Sequence, residues 1–416
     1  MRNSIIVLAV LLLAIPGYAV ADITGRVVDS FTGKVIQGAI VTLNGNVTLT
    51  DENGIFSFKT EGNRLTARAH GYMRAEAAVA SHEIKLVPFR PKALYLSFFG
   101  IGDRTLRESA LKLIEETELN ALVIDVKGDR GMLPYKSSVV LASEVGAQRI
   151  ITIKGMNDLM KSLKERGVYT IARVVVFKDN PLALARHDLQ VKTHSGERWR
   201  DREELAWVDP FKKEVWDYNI DIAVEAAQHG FDEIQFDYVR FPDETDLQYS
   251  MPNTVENRVK AISGFLMEAR KRLVPYNVFL GADIFGYVCW NLTDTSIGQR
   301  LEDLAPLVDY LSPMLYPSGF QYGIPGYRIP VSHPHEIVYL SLKRAKERTR
   351  LPSIRFRPWL QAFKDYAFDG RTFTGVEVRE QINAAEEFGS DGWMLWNPGN
   401  VYSSSADGLR RERPSV

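Results

Sequence analysis

Three aspartates close apolar runs and could do acid–base work: Asp125 in ALVIDVKGDRG (121–131), Asp237 in FDEIQFDYVRFP (231–242) and Asp283 in VFLGADIFGY (278–287). A charge set into such a run is costly unless it is paired or used. Two carboxyl groups flanking one bond can divide the work, one donating a proton and the other attacking or activating water. A neighbouring Arg, Tyr or Lys separates their pKa values, so that one keeps its proton while the other is charged.

The runs that carry these aspartates alternate with amphipathic helical patterns. From Ala93 onward, strands are expected at 93–100, 121–131, 168–179, 231–242, 278–287, 309–318, 353–363 and 392–400. Helices are expected at 103–118, 155–166, 211–229, 254–274, 297–307, 335–350 and 375–388, with an insertion after Asp179. Gly230 and Gly389 stand where helices should end before a strand. Eight β–α units predict an α/β fold, a TIM (β/α)8 barrel. An open doubly wound sheet is the alternative, but FFGIGDRT lacks the third glycine of a dinucleotide-binding turn.

In such a barrel, working groups come from the C-terminal ends of several strands, and side chains of one parity share a face. The strand exits carry Ser97, Asp125 with Lys127 and Asp129, Arg173, Gln235 with Asp237, Tyr238 with Arg240, Asp283, Tyr316, Arg357, Trp359 and Gln361, and Trp396 followed by Asn397. Packing alone does not demand a polar or aromatic residue at every exit. Structural readings stand beside the functional ones: an Asp125–Lys127 pair, an Asp237 ion pair with Arg173 or Arg240, Asp283 as a loop cap, and Trp359 and Trp396 as core. Aromatic rings at a barrel mouth also offer flat platforms for sugar C–H faces. Carboxylates and aromatics together suit glycosidic cleavage. Asp237 is expected as nucleophile or base. Asp283 comes first as acid, with Asp125 or Glu244 behind it, and the remaining exit residues are expected to bind substrate.

Residues 22–88 have a faster rhythm of short alternating runs punctuated by Gly, Asn and Asp, which predicts a small β-sandwich. Ile55, Phe56 and Phe58 are expected on its buried face, and VPFRPK (87–92) as a linker. The domain boundaries expected are thus 1–21, 22–88 and 89–410. Arg2, the apolar run Ile5–Ile15 and Ala19-Val20-Ala21 have the pattern of an export signal cut before Asp22, which predicts a secreted or periplasmic protein with no stable membrane insertion after cleavage. An uncleaved N-terminal anchor is the alternative. Lys and Arg total 51 against 52 Asp and Glu, so no electrostatic footprint for nucleic acid is present. Cys289 is the single cysteine, so no intrachain disulfide can form. The seven histidines show no metal-binding spacing and no G-x-S-x-G elbow occurs, so no metal, cofactor or serine nucleophile is expected.

The stretch GRVVDSFTGKVIQGAIVTLNG, with TDENGIFSF and IKLVP, resembles the carboxypeptidase regulatory-like domain, a transthyretin-like sandwich. The segment from Lys92 to Asn400 resembles a family of bacterial glycosyl hydrolase domains, on GFDEIQFDYVRFP, ALVIDVKGDRG, GADIFGY, LSPMLYPS and WLQAF. The second resemblance implies a glycoside hydrolase-like barrel; the strand-exit carboxylates and aromatics, with the export signal, predict action on a carbohydrate polymer such as a cell-envelope or matrix glycan. Asp237 matches the aspartate after strand four that related hydrolases use. Amylase-type relatives place a Glu after strand five, where this chain has Asp283. The rival expectation is a non-catalytic carbohydrate-binding or envelope scaffold protein.

Overall fold

The computed structural model describes residues 22–410, so the expected export segment lies outside the described residues. Eight parallel strands close a barrel: β1 (Lys92–Leu96), β2 (Ala121–Lys127), β3 (Tyr169–Val175), β4 (Glu233–Asp237), β5 (Phe279–Phe285), β6 (Tyr310–Met314), β7 (Trp359–Gln361) and β8 (Trp393–Trp396). The helices between them are α1 (Arg104–Glu116), α2 (Met156–Glu165), α3 (Lys213–Gln228), α4 (Val255–Leu273), α5 (Leu301–Leu304), α6 (Pro334–Thr349) and α7 (Gly375–Phe388), beside shorter turns. Strand residues of one parity, such as Val174, Phe236, Ala282 and Leu360, face the helices in the large outer core. Those of the other parity, including Val123, Ile171, Tyr310, Trp359 and Met394, fill the barrel itself. This is the TIM barrel that the alternation predicts.

Local chemistry sets the ends. Thr374 and Glu377 form a capping box on α7, and Gly389 ends it at φ 82°, a conformation glycine adopts without strain. Strand β7 is only three residues long, although the apolar run 353–363 suggested more. Pro352 and Pro358 lack the N–H a ladder needs, and Ser353–Arg355 turns as a 3-10 helix. After β3, the insertion places a short helix (Asn180–Ala185) and pairs Lys192–Thr193 with Leu247–Gln248, tying the β3 and β4 loops together beside the mouth.

Residues 23–86 form two sheets. One orders Ile55–Phe58, Ile23–Asp29 and Glu83–Leu86, and the other Asn46–Leu49, Ile40–Leu43, Arg64–Arg68 and Ala75–Ala78. Phe56 and Phe58 are buried between them, but Ile55 has the opposite parity and is 43% exposed. The sandwich docks on the N-terminal end of the barrel. Arg68 pairs with Asp309 at 3.0 Å, Arg74 with Asp232 at 3.3 Å, and the Gly71 N–H donates to Asp391 at 3.1 Å. His70 meets Tyr310 edge-on at 5.4 Å, and Phe89 packs on Tyr169 at 5.3 Å. The opposite end of the barrel, where the C-terminal strand ends lie, is left free of the sandwich.

Candidate active site

At that free end one buried guanidinium gathers three carboxylates. Arg173 of β3 donates to Asp125 of β2 (2.7 Å), to Asp129 in the following loop (2.6 Å), and twice to Asp237 at the end of β4 (2.9 and 2.6 Å). Its flat face lies over Trp396 at 4.8 Å and Tyr95 at 5.4 Å, two rings stacked on each other at 3.9 Å. Burial opposes its charge, but Asp129, Asp237 and Asp125 more than offset that, so the guanidinium stays protonated.

The three acids differ in surroundings. Asp125 also accepts from the Tyr95 hydroxyl (2.8 Å) and the Phe98 N–H (3.0 Å). Burial, with the charge of Asp129 and against the pull of Arg173, pushes its carboxyl up to about 6. Asp237 accepts from the Tyr238 N–H at 2.6 Å and keeps 8% of its side chain exposed. Asp129 is the most open, at 36%. Tyr238 sits at φ 48°, a rare left-handed turn for a bulky residue, which ends β4 and lays its ring along the mouth.

Asp283 follows the register of β4 and β5, in which Phe236 faces Ala282, and so stands beside Asp237 on the next strand. Trp359 Nε1 donates to its Oδ1 at 2.7 Å, and its buried Oδ2 has no partner among the described residues. Burial first and the charge of Asp237 second push this carboxyl well above the usual range. The pair therefore sets an ion-paired carboxylate beside a carboxyl that holds its proton more tightly, since neighbouring like charges resist joint ionisation.

A cavity of about 220 Å³ opens onto Asp237. Arg173, Tyr238, Arg240, Phe285, Met314, Tyr316, Trp359 and Trp396 wall it. Two further hollows share its walls. One of about 400 Å³ meets it at Tyr238 and Arg240, and one of about 620 Å³ meets it at Trp396. Arg240 rests over Trp207 and Tyr238, both at 5.1 Å, and donates to the Phe241 carbonyl.

Several residues expected to bind substrate lie elsewhere. Lys127 turns away from the mouth to Asp179 (2.6 Å), the Val175 carbonyl and Asn219 of α3 (both 2.8 Å). The register between β2 and β3 slips after Asp125, so Lys127 pairs with outward-facing Val174. Arg357 is at the sandwich end, held by Glu233 and the Asp391 carbonyl. Gln235 is one layer below the mouth, donating to Ser312 at 3.0 Å. Gln361 holds Ser318 at 2.7 Å, and Asn397 holds the Ala362 carbonyl at 2.6 Å, so both brace mouth loops. The strand-exit reading gives Asp129 no role of its own, and it does not name Tyr95 or Trp207. Tyr95 does share the parity of Ser97 on strand one, which is the signal that could have found it.

Among the described residues no group of three or more His, Cys, Asp or Glu is arranged to hold a metal ion. No helix among them is long and apolar enough to cross a membrane.

A TIM barrel with a carboxylate cluster and aromatic walls at its C-terminal mouth has the architecture of many sugar-processing proteins. This chain belongs to the family described as "Putative glycosyl hydrolase domain", which matches residues 93–402. Among solved structures, it is similar to a hypothetical protein from Ruminiclostridium thermocellum ATCC 27405, 36% identical over 46% of this chain and 96% of that one, with a TM-score of 0.41. It is also similar to the PgaB (BpsB) glycoside hydrolase domain from Bordetella bronchiseptica, 15% identical over 78% of this chain and all (100%) of that one, with a TM-score of 0.56. The second likeness is one of fold. No curated protein matches the sequence.

Proposed function

We propose that the protein is a glycoside hydrolase acting on a polysaccharide, with Asp237 working on the glycosidic bond and Asp283 holding the proton beside it. The observation that carries this reading is the unequal carboxyl pair at the barrel mouth. Asp237 opens onto the cavity, while Asp283, one strand away and bonded to the wall residue Trp359, has its carboxyl pushed upward by burial and by its neighbour's charge. Such a division is what sugar cleavage requires: one group protonates the leaving oxygen and the other attacks carbon or activates water. Asp125, raised to about 6 across Arg173, is the second candidate for the acid. Arg173 holds Asp125, Asp129 and Asp237 in fixed positions, and Trp396 and Tyr316 give the cavity aromatic walls suited to a sugar.

The family membership supports this reading. The segment from Arg2 to Ala21 supports export, and with it a glycan of the cell envelope or a surrounding matrix as substrate. The two-sheet arrangement of residues 23–86 supports an accessory module of the carboxypeptidase regulatory-like kind. The test is to screen the purified protein for reducing-end release from envelope and matrix polysaccharides. Release above that of a heat-denatured control is the expected result. Binding of a polysaccharide with no release would instead assign a carbohydrate-binding role.

A further inference from the structure

We infer that the polymer is cut internally, with sugars seated on both sides of Asp237. This rests on the hydrolase reading and adds its mode of action. Two hollows, or arms, border the central cavity at the mouth, one sharing Tyr238 and Arg240 after β4 with it and the other sharing Trp396 at the end of β8. At roughly 300–1,000 Å³ a hollow can take a ligand larger than one sugar ring; the arms, at about 400 and 620 Å³, both fall in that range. An enzyme that removes chain ends needs a wall on one side of its carboxylate, whereas the cavity at Asp237 is bordered by a hollow at the β4 exit and by another at the β8 exit.

Aromatic rings continue along both arms. On one side Tyr238 leads to Trp207 (5.6 Å) and then to Trp199 (6.1 Å). On the other, beyond Trp396, Phe98 and Phe99 lie edge to face at 4.8 Å, with Phe99 58% exposed. An exposed phenylalanine bordering a hollow that opens to the reacting centre is a surface suited to the apolar faces of sugar rings. The two arms differ in character. The Trp199 arm is lined by charges of both signs, Arg200, Arg202 and Arg240 beside Asp201, Glu203 and Glu244, whereas the Phe99 arm is walled mainly by apolar side chains such as Ile150 and Leu205.

The test uses the full chain on soluble glycol chitin, carboxymethyl cellulose, β-1,3-glucan and polygalacturonate. For any polymer that is cut, molar mass is followed by size-exclusion chromatography alongside reducing ends. Internal cutting predicts a severalfold fall in mean molar mass before about a hundredth of the linkages are opened. Trp199→Ala and Phe99→Ala should each lower kcat/KM on long chains by roughly 3- to 10-fold, the worth of one aromatic contact, and leave the shortest cleaved oligosaccharide unaffected. Accumulation of mono- or disaccharide with polymer mass unchanged would overturn internal cutting and leave the hydrolase reading standing. Cleavage of none of the four, and of none of the envelope and matrix polysaccharides in the reducing-end screen, would overturn both.

Discussion

Asp283 shows most plainly how one residue's surroundings set its chemistry. Its folded pKa is raised, so as pH climbs past the ordinary carboxyl range the unfolded chain loses this proton while the folded chain keeps it. The folded state then binds more protons, and stability falls with rising pH. Asp283→Asn removes that penalty, because an amide keeps the shape without the titration. The variant should melt higher than wild type at pH 8, the gap should close towards pH 4, and activity should fall; thermal melts across pH check it. Equal pH dependence in the two proteins would mean that Asp283 is not held neutral. The cluster of Asp125, Arg173, Asp237 and Asp283 was legible in the sequence, because each is a polar residue near the exit of an apolar run and strand parity puts them on one face. Their individual charge states were not legible, since these depend on which carboxyl is dry and which opens to the cavity.

At the scale of the element, register decides what parity alone cannot. Lys127 shares the sequence parity of Asp125, yet the slip between β2 and β3 turns it outward into the helix layer. There it is fully buried and paired with Asp179, also fully buried. Removing one partner of such a pair leaves an uncompensated charge, which costs about 3–5 kcal/mol. Lys127→Met should therefore lower stability by that order in denaturant unfolding, with KM for the polysaccharide unchanged in the folded fraction. A raised KM at full stability would return Lys127 to the mouth. Depth is the other property hidden from a one-dimensional reading. Gln235 and Asp237 lie on β4 and Arg357 just before β7, but Arg357 is at the sandwich end, Gln235 is in the middle and Asp237 is at the rim. The expected strand 353–363 had no visible start, and two prolines moved its paired part to Trp359–Gln361. That shift put Arg357 outside the strand, at the wrong end for a substrate.

For the whole molecule, the sandwich closes the barrel end opposite the mouth. Its identity as a two-sheet unit was legible from short alternating runs, but its docking was not, because Arg68, His70 and Arg74 look like ordinary surface residues in sequence. His70 sits among Tyr310, Phe279, Asp309 and three arginines, and burial above all, against the pull of Asp309, lowers its pKa to about 4. The folded state thus refuses a proton that the unfolded chain accepts below its ordinary value of 6.5. Stability is fully present above about pH 6.5 and is lost as pH falls towards 4, by up to about 3 kcal/mol. His70→Leu should flatten this acid limb in urea titrations between pH 7 and pH 4. An unchanged limb would mean that the docked interface does not sense His70.

The central claim is that the rim carboxylate Asp237 does the cutting. Its most direct test is the initial rate of reducing-end release by Asp237→Asn beside wild type, on one polysaccharide and at matched protein concentration. A loss of about 10³-fold or more in kcat is expected, the scale of a lost acid–base or nucleophilic group, with the melting temperature and polysaccharide binding nearly unchanged. A variant that cleaves within a few-fold of the wild-type rate would contradict it.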